Sequence, residues 1–447
     1  MISTVDIKEW GIVGAGGAGF PTYVKLESKA KIFIVNAAEC EPLLHKDKEI
    51  LEHHTEVFFK GLDQCMALTG AQRCIIGIKA KYADLIQKIQ SCCADRAEIF
   101  PLQDFYPAGD EITLIYETTA RVVAAGQLPI SEEIVVQNVE TIYNVGRGQP
   151  VVTTFLTVGG DVEQPMSLEV PIGVAFKDVI AHARPKSDSF AVIVGGPMMG
   201  CLAENLNWPV SKTTGGLLVF PVDHPLIRRY ETLSVESQVA FIGKAACDQC
   251  AMCTELCPRN LLGHPIQPHI AMRKLLFSKG TFTPDAGEAH TLYCCECNLC
   301  TLMACPEGLY PSQVCMFNKR ELIQAKVPYE GMALNRAHPL IGYRRTPIKK
   351  VMARLGLNRF VNQGPLLPFK FQPETLTILL RQHIGAPAAP LVQAGDRVNA
   401  EQKIATVGEK LGAEIHAPSA GQVMEVTESH IVIATDATEA TVNHSEG

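Results

Sequence analysis

The chain has 447 residues, too many for one ordinary hydrophobic core and long enough for about three domains. A net charge of −7 gives no basis for binding nucleic acid or an anionic membrane. No apolar run approaches the ~18 residues that span a bilayer, and MISTVDIKEW lacks a secretory n-region and h-region, so no transmembrane segment is expected and the chain reads as cytoplasmic.

The first motif is GIVGAGGAGFPT (11–22), which spells G-x-G-x-x-G at Gly14, Gly16 and Gly19. As a dinucleotide fingerprint it would follow a strand closed by Gly11, Ile12 and Val13, with Glu39 placed to bind a ribose. Pro21 opposes that reading, because a proline two residues past the third glycine lacks the N–H that a continuing helix needs. Nor does the sequence after it suggest a βαβ repeat. Three further phrases follow: VNAAECEP (35–42), YPAGDEITLIYETTAR (106–121) and VVQNVETIYNV (135–145).

After Pro150, TTFLTVGGDVEQPMSLEVPIGVAFKDVIAHARP and FAVIVGGPMMG read as short strands around a helix. Gly195, Gly196, Pro197 and Gly200 make a turn with no phosphate context, and Met198 and Met199 read as packing residues.

Sixteen cysteines in a chain of this kind point to metal ligation rather than disulfides. CDQCAMCTELCP places Cys247, Cys250, Cys253 and Cys257 as C-x2-C-x2-C-x3-C. CCECNLCTLMACP places Cys294, Cys297, Cys300 and Cys305 as C-x2-C-x2-C-x4-C. Three thiolates spaced two apart hold three corners of a cubane, and the fourth, leading out, ligates the other cluster. Two [4Fe–4S] clusters are therefore expected, with Cys257 completing the site of the second triplet and Cys305 that of the first. A zinc site would leave thiolates unused. Cys295 competes with Cys294, and the spacing favours Cys294. Cys40, Cys65, Cys74, Cys92, Cys93, Cys201 and Cys315 have no ligand spacing and read mostly as small buried hydrophobes. Adjacent clusters pass single electrons, so the chain needs a donor and an acceptor.

Residues 326–375, with PYEGM, AHPLIGYRRTPIKK and QGPLLPFKFQP, are Pro-rich and basic and read as a connector wrapping the surface. Arg344, Arg345, Lys349 and Lys350 would form a solvated face. The C-terminal stretch from HIGAPAAP to GQVMEV alternates strands with G-D and S-A-G turns.

The glycine loop and its three companion phrases, in this order, resemble the flavin-binding subunit of respiratory complex I and the RnfC component of the Rnf electron-transport complex. In that family these motifs enclose FMN. The resemblance implies that Gly14, Gly16, Gly17 and Gly19 approach the FMN phosphate, with Lys25 pairing with it or with the ribityl chain. It places Asn36 at the isoalloxazine edge, and Glu39 and Glu41 by the flavin and the incoming NADH. Tyr106, Asp110 and Glu111 would lie near the nucleotide, Asn138 and Thr141 in the third segment, and Phe20 would offer a stacking surface. No protein acid or base is required for hydride transfer.

Residues 151–225 resemble the β-grasp-like SLBB module, and residues 376–440 resemble a biotinyl/lipoyl-type barrel-sandwich hybrid, in which Lys410 aligns with the lipoylated lysine. The implied fold class is multidomain α/β and α+β. It comprises an FMN/NADH-binding domain (1–150), the SLBB module, a helical two-[4Fe–4S] ferredoxin-like domain (235–325), the connector and the barrel-sandwich module. In the Rnf protein a similar module comes first; here it comes last. That order resembles the cobalamin reductases of propanediol-utilisation microcompartments. The family implies NADH-dependent reduction of cob(III)alamin and cob(II)alamin to cob(I)alamin. It also implies a corrinoid adenosyltransferase and microcompartment shell proteins as partners, and location in the microcompartment lumen. An Rnf-type electron-entry protein and a non-catalytic Fe–S relay or scaffold are the alternatives. No residue marks a corrinoid site; His264, His269 and His290 read as surface or cluster-neighbour side chains.

Overall fold

The computed structural model describes residues 2–436 except 94, 234, 278–285 and 329–335, so most of PYEGM and positions 437–440 of the expected C-terminal module lie outside the described residues. Among the described residues no helix is long and apolar enough to cross a membrane.

Helices α1 (Thr4–Glu9) and α2 (Thr22–Glu27) precede β1 (Ile32–Ala37). Then come α3 (Lys46–His53), α4 (Thr55–Thr69), β2 (Arg73–Lys79), α5 (Ala83–Cys93), β3 (Glu98–Leu102), β4 (Phe105–Tyr106), α6 (Glu111–Thr119), β5 (Ile134–Asn138) and α7 (Val139–Arg147). Four of these strands form a parallel sheet ordered β3-β2-β1-β5. The reading that no βαβ repeat follows the glycine loop is thereby corrected. Strands such as IFIVNA and RCIIGIK are covered on both faces, so they show apolar runs without alternation, which sequence period alone does not separate from buried helix. The glycine loop still is not a Rossmann fingerprint, because it precedes β1 instead of leaving it. Val13 makes only an isolated bridge to Pro21, and α2 starts directly after that proline.

Strand order runs outward from β1 to β3, then returns so that β5 pairs with the other side of β1. Ligands of open α/β sheets bind at such a reversal, beyond the carboxyl ends of the strands. The register places Asn36 opposite Asn138 there. Helices α4 and α7 cross so closely that a Cβ on Gly61 would meet the Ile142 carbonyl oxygen at 2.0 Å, and one on Gly146 would meet that of Val57 at 2.0 Å.

A mixed sheet ordered β7-β6-β10-β8-β9 follows, from β6 (Thr153–Gly160), β7 (Met166–Pro171), β8 (Phe190–Val194), β9 (Cys201–Leu202) and β10 (Gly216–Pro221), with α8 (Phe176–Ala183) packed on it. Its central strands β6 and β10 are parallel and each has an antiparallel outer partner, the β-grasp arrangement. The cysteine-bearing region is built from short helices: α9 (Pro225–Leu233), α10 (Glu236–Ala246), α11 (Met252–Glu255), α12 (Pro258–Leu261), α13 (Pro268–Phe277) and α14 (Pro311–Gln324).

The connector does more than wrap the surface. Its β11 (Thr346–Pro347) pairs with β4, and α15 (Ile348–Arg354) buries Ile348 and Val351 in a core shared with Phe220 and Tyr310. Arg345 pairs with Glu117 at 2.6 Å and Arg344 with Glu255, so half of the basic run is ion-paired and only Lys349 and Lys350 are exposed. The apolar positions of that helix are interleaved with basic ones, which hides its buried face in composition.

Strands β12 (Thr375–Leu379), β13 (Ala389–Pro390), β14 (Arg397–Val398), β15 (Lys403–Thr406), β16 (Ile415–His416), β17 (Gly421–Val426) and β18 (His430–Thr435) form two antiparallel sheets, β12-β18-β17-β14 and β13-β15-β16. Ile378, Ile404, Val423 and Ile431 share one core with Val158 and Val219 of the β-grasp sheet.

Gly61→Ala gains ~1 kcal/mol of helix propensity yet forces α4 off α7, and overpacking of this kind costs about 1–3 kcal/mol. The expected outcome is net destabilisation, seen as a lower urea midpoint; an unchanged or raised midpoint would contradict the close crossing.

Candidate flavin crevice and cysteine cavities

The glycine loop is closed by Gly14 N–H donating to the Phe20 carbonyl at 2.8 Å and Gly19 N–H to that of Gly14 at 3.1 Å. Thr141, fully buried on α7, accepts from Ala15 N–H at 3.0 Å and fixes the loop from below. The tip, Gly16 to Ala18, is exposed. Gly17 has φ +108° and an added Cβ there would meet nothing within 4 Å, so its backbone faces open space in a conformation that favours glycine. Phe20 is half-buried beside it.

Around the carboxyl ends of β1 and β5 the structure gathers Lys25, Asn36, Glu111 and Asn138. Lys25 Nζ donates to Glu111 Oε1 at 2.6 Å and to the Val136 carbonyl at 3.2 Å. Asn36 Nδ2 donates to the Gly109 carbonyl at 2.8 Å. Asn138 caps α7 through Glu140 N–H, stands under Gly16, and donates to Asp47 Oδ2 at 2.7 Å. Gln137 precedes Asn138 on β5 and alternates to the other face of the sheet; its amide nitrogen has no partner, and neither has the buried Thr22 hydroxyl. An open glycine tip with a nearby lysine and two asparagine side chains is what a phosphate-bearing polar cofactor would engage. These residues fit FMN.

The acidic turn is more deeply engaged than its sequence suggests. Glu39 accepts from the amides of Asp47 and Lys48, and burial, with the Asp47 charge adding, pushes its carboxyl up to about 7. Buried Lys46 sits between Asp47 at 2.8 Å and Glu140 at 2.6 Å. Sequence reasoning missed Lys46 and Asp47, since the run HKDK looks like solvated charge. Glu41 accepts from the amides of Met198 at 2.9 Å and Met199 at 3.0 Å, and from the Tyr106 hydroxyl at 3.4 Å. The GGPMMG turn thus cradles a carboxylate. Met198 is buried and Met199 is 56% exposed.

Tyr106 is 1% exposed, and its hydroxyl donates to the Cys297 carbonyl at 2.8 Å. Asn298 Nδ2 donates to the Met198 carbonyl at 2.8 Å. Asp110 caps α6 through Thr113 N–H and receives both guanidinium nitrogens of Arg259 at 2.8 Å. Arg259 lies two residues beyond Cys257, so the flavin crevice and the cysteine region are tied at two points.

The eight motif cysteines line two cavities. One is lined by Cys247, Cys250, Cys253 and Cys305, with His269 beside them. The other is lined by Cys257, Cys294, Cys297 and Cys300, and Cys295 joins them. Each motif's last cysteine has crossed to the other motif's cavity. Burial pushes Cys253 up to about 12, with Cys250, Cys305 and Cys247 adding, and burial likewise pushes Cys257 to about 12. Crowded buried thiols ionise only against a cation, so these sets fit a metal cluster. Among the described residues no group of three or more His, Cys, Asp or Glu side chains has a single-ion arrangement. Of the other cysteines, Cys65, Cys74, Cys93 and Cys315 are buried, Cys40 is half-buried, and Cys92 and Cys201 are exposed. His264 is buried against the Val123 carbonyl, and His269 meets Thr254 at 2.7 Å.

Burial raises the Glu41 carboxyl from 4.5 to about 7. The folded state therefore holds a proton that the unfolded state has lost between those pH values, and stability falls as pH rises through that window. Thermal midpoints of the holoprotein from pH 5 to 7.5 should fall in the wild type and fall less in Glu41→Gln; equal slopes would contradict the burial of this carboxyl.

The Nuo51 FMN-binding domain model matches residues 7–147, the 4Fe-4S dicluster domain model residues 246–310, and the RnfC Barrel sandwich hybrid domain model residues 362–446. The chain is 41% identical over 433 residues to Cobalamin reductase PduS of Salmonella typhimurium, covering 96% of this chain and 95% of that protein. The Citrobacter freundii protein of the same name gives the same identity and coverage. A component of the Na(+)-translocating ferredoxin:NAD(+) oxidoreductase complex of Acetobacterium woodii is 34% identical over 263 residues, covering 56% of each chain. With an FMN-binding domain, a dicluster domain and this similarity along almost its whole length, the chain belongs to the cobalamin reductase family.

Proposed function

We propose that this protein is an NADH-dependent reductase that passes single electrons to cob(III)alamin and cob(II)alamin, supplying cob(I)alamin for adenosylation in propanediol utilisation. The observation that carries the reading is the junction of the two sites: the crevice at the β1–β5 reversal is joined to the cavity of Cys257, Cys294, Cys297 and Cys300 by Asp110–Arg259 and Tyr106–Cys297. When bound, FMN would accept a hydride, an electron pair, and [4Fe–4S] clusters would carry electrons singly, which is the conversion this joined arrangement suits.

The chain's own groups bind and orient. The exposed amides of Gly16 and Gly17 take the flavin phosphate, Gly14 and Gly19 close the turn that presents them, Lys25 balances the charge, and Asn36 and Asn138 fix the crevice floor, with Thr141 beneath the loop. Glu39, Glu111 and Phe20 border the nucleotide side. Glu41, Tyr106 and Asp110 act mainly by holding the cysteine region in register. Cys247, Cys250, Cys253 and Cys305 hold one cluster, and Cys257, Cys294, Cys297 and Cys300 the other. For this role the domains are taken as 1–150, 151–225, 235–325, 326–375 and 376–440. A corrinoid adenosyltransferase and microcompartment shell proteins are the partners this role calls for, in the microcompartment lumen. An Rnf-type entry protein is the weaker reading, because the barrel-sandwich module follows the clusters here.

Anaerobic stopped-flow mixing of holoprotein with NADH and then hydroxocobalamin should show flavin bleaching followed by loss of the cob(III)alamin spectrum, with both phases absent in Gly16→Val. Flavin bleaching with an unchanged corrinoid spectrum would overturn the acceptor assignment. Cys257→Ser should remove the EPR signal of the cluster held by the second motif and keep the other; loss of the first motif's cluster instead would contradict the crossed ligation.

A further inference from the structure

The C-terminal barrel-sandwich module grips both ends of the glycine loop. At the far end, Ile384 N–H donates to the Gly19 carbonyl at 2.9 Å. Gly19 has φ +67°, and an added Cβ would stand 3.0 Å from Thr213 and 3.2 Å from the His383 backbone, so this contact is built for glycine. At the near end, Lys212 Nζ donates to the Gly11 carbonyl at 2.6 Å and the Glu414 carbonyl at 2.9 Å, while its backbone N–H donates to Gln382 Oε1 at 3.0 Å. Lys8 donates to the Gly408 carbonyl at 2.6 Å, and Lys403 pairs with Glu9. Lys212 is 3% exposed and has no carboxylate in ion-pair range among the described residues. A buried ammonium held only by carbonyls from two modules is costly unless the junction is needed.

The β15–β16 turn supplies Gly408, Leu411 and Glu414 carbonyls to these and neighbouring contacts, while Lys410 stays exposed. The hairpin whose tip would present a swinging arm is spent on docking instead.

We propose that the barrel-sandwich module is a retention clamp for FMN, with Lys212 as the positioning residue that locks it to the glycine loop. The inference rests on the FMN assignment of that loop. Lys212 touches the loop's backbone, so flavin affinity depends on a side chain and a module outside the flavin-binding segments.

The test is FMN titration, by flavin fluorescence, of full-length cluster-loaded protein stripped of flavin, for wild type, Lys212→Met, Gln382→Leu and Lys410→Ala. Lys212→Met should weaken FMN binding at least tenfold and Gln382→Leu severalfold, with Lys410→Ala unchanged. Iron content and cluster EPR should stay at wild-type levels in all three. Hydrogen exchange of the flavin-free protein should quicken over residues 11–20 in Lys212→Met. If Lys212→Met folds poorly, Gln382→Leu carries the test. Wild-type FMN affinity and wild-type exchange in cluster-loaded Lys212→Met and Gln382→Leu would overturn the clamp. Absence of FMN binding by the wild type, with the exchange difference intact, would overturn the flavin assignment and leave the loop's clamping standing.

Discussion

The structure depends on a two-pronged ion pair. Arg259 and Asp110 meet through two hydrogen bonds of 2.8 Å with both side chains largely hidden from solvent. Such a pair contributes geometry more than net stability, because two charges have been taken out of water; removing one partner costs about 3–5 kcal/mol. Its value lies in what each end carries. Asp110 is the cap of α6, beside the Gly109 carbonyl that receives Asn36, and Arg259 is in the helix that begins next to Cys257. A planar fork on a carboxylate fixes both distance and orientation, which one-electron transfer between two cofactors requires.

A second tie runs parallel to it. The GGPMMG turn of the β-grasp module holds Glu41 by two amides, receives Asn298 on the Met198 carbonyl and Tyr230 on the Pro197 carbonyl. One turn therefore touches the acidic segment, the cysteine loop and the helix leading into it. The same module shares one core with the barrel-sandwich strands and another with the cluster helices and α15. The β-grasp sheet is the packing hub, and the modules around it are held in fixed register.

Much of the chemistry was legible in the sequence because it resides in local spacing. The glycine loop, the cysteine intervals and the lead-out position of Cys257 and Cys305 each follow from short-range geometry. What was not legible was long-range or hidden by composition. The parallel sheet was missed because doubly buried strands carry no period. Lys46 and Asp47 stand in the polar run HKDK, which carries no local sign of the buried network they form with Glu140. The GGPMMG turn has no local sign that its partner is Glu41, more than 150 residues away. Arg259 and Lys212 have the same difficulty: a single basic residue reveals a buried role only when the fold shows which carboxylate or carbonyls surround it. The buried face of α15 was masked by the lysines and arginines that flank it.

The central claim is that electrons leave the flavin crevice across the Asp110–Arg259 junction. It is tested most directly by rapid freeze-quench EPR of holoprotein mixed anaerobically with NADH, comparing wild type with Arg259→Met at equal cofactor loading. The account predicts that flavin reduction keeps its wild-type rate while the cluster signals appear at least tenfold more slowly. Cluster signals that rise at the wild-type rate in the variant would contradict it.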